Sequence, residues 1–178
     1  MGRQYFADVV TEPANTDFAT ISATTETVLI PTAWTPIGAM EPRAGQVWEL
    51  IVGGTCTTGT AGTLTITPRY GTTISGTAIG TSSAQNYVAS ISVAPFIFKC
   101  YLMFRGIGQA GANTPVVCFY QWRSMGTIGT ASSESDLVGG GGAATSVDTS
   151  IASALWIGVT FSVAPSVIPR GHVWRRLN

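Results

Sequence analysis

Apolar and polar residues alternate along most of this chain with a period of two, the signature of strands with one buried face. The cleanest run is GTLTITPRYG, residues 62–71. Leu64 and Ile66 fall on one side of it and Thr63, Thr65 and Thr67 on the other. Just before it, in a segment spanning about 45–57, Trp48, Leu50 and Val52 share a face, and Gly53 and Gly54 suggest a bulge or a close backbone approach. The short loop between the two segments predicts a hairpin. Pro95 precedes the longest predicted strand, about 96–107. Phe96, Phe98, Cys100, Leu102 and Phe104 line one side of it. Ile97, Lys99, Tyr101, Met103 and Arg105 line the other, which is therefore amphipathic. The loop GIGQAGANTP leads into a return strand carrying Val116, Cys118, Tyr120 and Trp122, a second hairpin. Two late strands, about 153–163 and 166–177, flank a turn at Ala164 and Pro165. Shorter strands are expected at 18–22, 26–30 and near Tyr87 to Ile91.

No segment shows the three-to-four spacing of a helix. Eight to ten strands joined by hairpins or long loops, with no crossover helix, predict an all-β antiparallel sandwich or barrel. The long loops suit a jelly roll. Residues 1–17 read as an extended N-terminal arm and 18–178 as one domain. The arm carries Tyr5, Phe6, Val9 and Val10, which need burial on this domain or on a neighbouring subunit, whereas Pro13, Asn15 and Asp17 break any element. Residues 126–149 form the longest stretch without a strand pattern. Glu134 and Asp136 precede a run of four glycines there, Gly139 to Gly142. Such a loop is either a flexible surface feature or one that orders against a neighbour.

Composition sharpens the picture. Charged residues make up 10 % of the chain, against about 25 % in a typical soluble domain. Lys99 is the sole lysine. Thr, Ser and Gly could coat exposed sheet surface at so low a charge. A surface covered by partners needs still fewer charges, and that is the expectation here. The formal net charge is zero, which argues against direct nucleic-acid binding. No apolar run is long enough for a membrane span. The N-terminal residues, with Asp8 and Glu12, do not resemble a secretory signal, so synthesis in a cytoplasm and work without export through a membrane are expected. Cys56, Cys100 and Cys118 lack metal-ligand spacing and read as small buried hydrophobes. Cys100 and Cys118 lie on candidate neighbouring strands, where a cytoplasmic origin disfavours a bridge.

Catalytic patterns do not emerge. His172 is the only histidine and reads as a half-exposed strand residue beside Arg170 and Trp174. No serine lies in a nucleophile-elbow context. Most of the nine acids fall in the arm or in loops. Glu49, the one acid well inside a strong strand, is expected to pair with Arg43, Arg69 or Arg105. GIGQAG at 106–111 lacks the strand-to-helix setting of a nucleotide loop. No cofactor or metal is expected, and the chain does not read as an enzyme. Of the five tryptophans, Trp34 before Pro36 is the best candidate for exposure.

The segments RAGQVWEL, GTLTITPRYGTT, GQAGANTPVV and SVDTSIASALWIGVTFSV, taken together, resemble a group of tailed-phage jelly-roll virion proteins that decorate or cement the head, or act as minor capsid proteins. The resemblance covers about residues 18–178 and leaves the arm unmatched. It implies a homo-oligomer, a trimer, on the capsid surface of the virion, bridging subunits of the major capsid protein. Candidate interface residues are Arg3, Tyr5, Phe6 and Val9 in the arm, Trp34, and Glu134 and Asp136 in the 126–149 segment. The alternative is a tail or fibre receptor-binding module that recognises carbohydrate.

Overall fold

The computed structural model describes residues 8–11, 17–87, 89–108, 115–125, 134–140 and 145–178. Among them the strands are Asp8–Thr11 (β1), Thr27–Val28 (β2), Pro36–Ile37 (β3), Val47–Thr58 (β4), Gly62–Gly71 (β5), Thr77–Ala78 (β6), Gln85–Tyr87 (β7), Ile91–Phe104 (β8), Pro115–Met125 (β9), Glu134–Gly140 (β10), Thr145–Ser146 (β11), Ser153–Phe161 (β12) and Ser166–Arg176 (β13). The only helix among these residues is a single 3-10 turn, Thr32–Trp34. All pairing is antiparallel. The larger sheet runs β1-β13-β4-β8-β9-β10, with β11 also on β9. The smaller runs β2-β12-β5-β6, with β3 on β12 and β7 on β5. The core lies between them.

Alternation decides which side chains meet there. Trp48, Leu50 and Val52 of β4, Phe96 to Phe104 at even positions of β8, and Val116 to Trp122 at even positions of β9 are buried. Leu64, Ile66 and Tyr70 of β5 and Leu155, Ile157, Val159 and Phe161 of β12 close on them from the other layer. Trp48 and Trp174 stack at 5.0 Å, and Phe96 and Trp122 at 4.3 Å. The predicted hairpin of residues 96–122 forms, with Leu102 opposite Cys118 and Cys100 opposite Tyr120. The two cysteines are thus diagonal neighbours, free, buried, and 3.3 Å apart at sulfur.

The other predicted hairpin does not form. β4 and β5 lie in different sheets: β4 pairs with β8 and β13, and β5 with β12. The three residues 59–61 carry the chain across the core. A period-two pattern is identical for a hairpin and for such an arch, because in both cases one face of each strand is buried. The turn at Ala164 and Pro165 crosses between sheets in the same way, from β12 to β13.

Several boundaries differ from expectation. The predicted strand at 18–22 is an isolated bridge, Ile21 to Val167, and that at 26–30 shrinks to β2. Pro95 lies inside β8, at a point where pairing with β9 has not yet begun, so its missing N–H is tolerated. Part of the arm is the strand β1, on the edge of β13. Residues 134–140 and 145–146 of the supposed long loop are strands on β9.

Candidate functional site

The sandwich has two outward faces, and they differ in chemistry. On the smaller sheet, Thr63, Thr65 and Thr67 of β5 and Thr160 of β12 point outward, with the Arg69–Glu26 ion pair (2.9 Å) lying over Gly158. This face suits water. The larger sheet turns Val47 and Ile51 of β4, Ile97, Tyr101 and Met103 of β8, Val117 and Phe119 of β9, and Val173 of β13 outward. Ile97, Met103 and Phe119 are 39 %, 36 % and 53 % exposed. Cross-strand register makes these residues neighbours: Met103 lies opposite both Val47 and Val117, and Tyr101 opposite Phe119.

This face also carries charge: Glu49, Lys99, Arg175 and, opposite Ile97, the exposed Arg123. Glu49, 4 % exposed, accepts from Nε of Arg175 at 2.5 Å, and Arg175 lies opposite it on β13. The partner expected among Arg43, Arg69 and Arg105 is therefore corrected to Arg175. Those residues are distant in register, whereas β13 brings Arg175 directly across. The hydrogen bond between Tyr101 and Glu49 raises the Tyr101 pKa above its ordinary 10.0, and burial adds to this. Lys99 stands half-buried between Ile51 and Gln121.

The expected interface residues do not form one cluster. Arg3, Tyr5 and Phe6 lie outside the described residues. Val9 lies on β1, opposite Arg175, at one edge of the larger sheet. Glu134 and Asp136 lie on β10 at the opposite edge, in register with Met125 and Arg123. The segments singled out from the sequence thus border the apolar face, but the face itself was not proposed. Its signal was present in the second side of the 96–107 strand.

Trp34 is corrected from exposed to half-buried. Its ring meets His172 at 5.1 Å and Phe18 at 6.0 Å, and it packs against the core. The segment preceding Pro36 folds back over β13, which a local reading of Trp-Thr-Pro does not reveal. His172 is likewise corrected from half-exposed to buried, at 3 %. The bulge between Pro169 and Gly171 shifts the strand's register. Burial lowers its pKa from 6.5. Enclosed by Phe18 and Trp34, its imidazole is placed for packing. Burial raises Cys56 to about 11, and hydrogen bonding with Cys118 together with burial raises Cys100 well above 9.0, so both thiols are held protonated.

One pocket opens at an end of the sandwich, between Leu64, Tyr87, Trp122 and Phe161, with Gln85 and Asn86 beside them. It encloses about 40 Å³, room for a few waters. Tyr87 donates its hydroxyl to the Val163 carbonyl at 2.8 Å, and Trp122 stacks on Phe96. No helix among the described residues is long and apolar enough to cross a membrane.

No known protein family, curated protein or solved structure matches this chain.

Proposed function

We propose that this chain is a structural virion protein that decorates or cements the head shell of a tailed phage, working as a homo-oligomer seated on the major capsid protein. The observation that carries this reading is the contrast between the two outer faces. One chain coats one sheet with threonine and the other with Ile, Val, Met and Phe. The larger sheet's outer face gathers three exposed large apolar side chains, Ile97, Met103 and Phe119, and such a grouping marks a surface that is covered in use. The role asks for burial against neighbours and no chemistry, and this face has it.

A jelly-roll arrangement is supported by the nesting of the long strands. β4 pairs with β13 in one sheet and β5 with β12 in the other, so the chain wraps on itself from both ends. The β8–β9 hairpin, which stays within one sheet, departs from that wrapping. The shell role is tested by locating the protein in purified particles by electron microscopy. Density on the head lattice is expected; density confined to the tail tip overturns it.

The receptor-binding alternative draws on the end pocket, whose aromatic walls and amide side chains are the chemistry of sugar recognition. Its small volume and the occupied ring face of Trp122 weigh against it. A glycan array showing specific binding would favour this second reading.

A further inference from the structure

We propose that Cys100 and Cys118 are a reversible redox site: in the folded chain a small two-electron oxidant, a peroxide or a diazene, joins them as a disulfide across β8 and β9. The inference stands apart from the shell reading, which needs no covalent modification.

The first argument is proximity. Register sets Cys100 opposite Tyr120 and Leu102 opposite Cys118, so the two cysteines are diagonal neighbours on the core side of one hairpin. Both are free and fully buried. Their sulfurs are in contact at 3.3 Å, and a disulfide holds them at about 2.05 Å, so each sulfur has about 0.6 Å to travel. Rotation of two side chains on neighbouring strands supplies most of that distance.

The second argument is selectivity. The third cysteine, Cys56, lies on β4 opposite Ala94, six residues before Cys100 on β8, which is about 20 Å at the rise of a strand. Three thiols allow three bridges, and the fold leaves one within reach. Leu50 on β4 and Tyr120 on β9 flank Cys100, so no other nucleophile stands directly across from it. Among the described residues no group of three or more His, Cys, Asp or Glu is placed to hold a metal ion.

The third argument concerns rate and reversal. The thiolate is the attacking form, and hydrogen bonding with Cys118 together with burial raises the Cys100 thiol well above 9.0. Oxidation therefore waits on local opening of the hairpin and is slow, and in a reducing medium the pair stays as thiols. Once the oxidant has reacted with one sulfur, the other displaces it. Two S–H bonds break and one S–S bond forms. The two protons and two electrons leave on the oxidant, as two waters from a peroxide or as a hydrazine from a diazene. A bridge between diagonal positions draws the strands together more than one between directly opposed residues, so it is the more readily reduced.

The test treats the full, reduced chain with the diazene diamide for about a day in native buffer, longer than an accessible pair needs. The intact mass is expected to fall by two hydrogens. Alkylation after denaturation should then label Cys56 alone, and a non-reduced digest should link the Cys100 peptide to the Cys118 peptide. Dithiothreitol under the same native conditions should restore both thiols, and circular dichroism should stay unchanged throughout. Cys56→Ala should keep the bridge and Cys118→Ala should lose it; the wild-type digest decides the pairing even where a variant folds poorly. Three labelled cysteines after treatment, a bridge that includes Cys56, a link between two copies, a bridge that forms only in urea, or one that native dithiothreitol leaves intact overturns the proposal.

Discussion

His172 joins three elements at a single ring, contacting Phe18 at 5.7 Å and Trp34 at 5.1 Å while held by β13. Burial lowers its pKa below 6.5, so the unfolded chain takes up this proton at a higher pH than the folded chain does. Above about pH 7 the residue adds no pH dependence. As pH falls through 6.5, the unfolded state is stabilised first and net stability declines, levelling off below the folded-state value. Denaturant unfolding between about pH 7.5 and pH 5 should show this decline in the wild type and a shallower one in His172→Phe, which keeps the ring contacts. Equal slopes would refute the assignment. Two adjacent glycines offer a sharper contrast. A Cβ on Gly54 would lie 2.3 Å from the Ile168 carbonyl oxygen and 2.6 Å from the Phe96 ring, whereas one on Gly53 would meet nothing within 4 Å. Gly54→Ala should cost about 1–3 kcal/mol by overpacking. Gly53→Ala should be close to neutral, and a urea titration of both variants separates them. The pair was legible in the sequence as a close approach, but which of the two bears it depends on the packing of β13 and β8.

At the scale of elements, β13 determines most of the architecture. It pairs with β4 from Ser166 to Arg176, receives β1 on its other edge, and takes the Ile21 bridge. Asn178, just beyond it, accepts from the Val47 N–H and donates to the Gly45 carbonyl. The strand also supplies Arg175 to Glu49. Removing the arginine strands a buried carboxylate, whereas removing both charges leaves an apolar surface. Arg175→Leu should therefore be less stable than the double variant Glu49→Leu/Arg175→Leu, by about 2 kcal/mol in chemical unfolding. A double variant that is no more stable than the single would show that Glu49 is not held by this pair. The strands themselves were readable from alternation; their partners were not. The segments 45–57 and 63–71 carry the same in-out pattern whether they pair or face each other across a core. Strand β10 escaped notice because ESDLVGG has little apolar alternation, and its place is set by β9 alongside it.

For the whole molecule, the asymmetry between the two outer faces organises the functional reading. Sparse charge was visible in the composition, and it suggested a covered surface without saying which. Register sets Met103 opposite Val117 and Tyr101 opposite Phe119, a grouping that neither strand's own pattern specifies. The arm contributes an edge strand of four residues, Asp8–Thr11, and the β4 and β8 partners of the core do not depend on it. Deleting residues 1–16 should leave cooperative thermal unfolding in place while lowering occupancy on the head shell, as read from the composition of purified particles. Full occupancy by the truncated chain would remove the arm from the attachment role. Loss of cooperative unfolding would make β1 a structural necessity.

The order of residues alone determined that this chain would fold as strands, which faces of the long strands would be buried, and that charge would be sparse. Those properties follow from period-two alternation and composition, which are local or additive. Tertiary structure alone decided which strands became neighbours, that Trp34 and His172 would share one contact, and which apolar side chains would gather on the outer face of the larger sheet. The physical reason is common to all three: strand pairing is a long-range choice among segments with the same alternation, made by how two sheets close over one core.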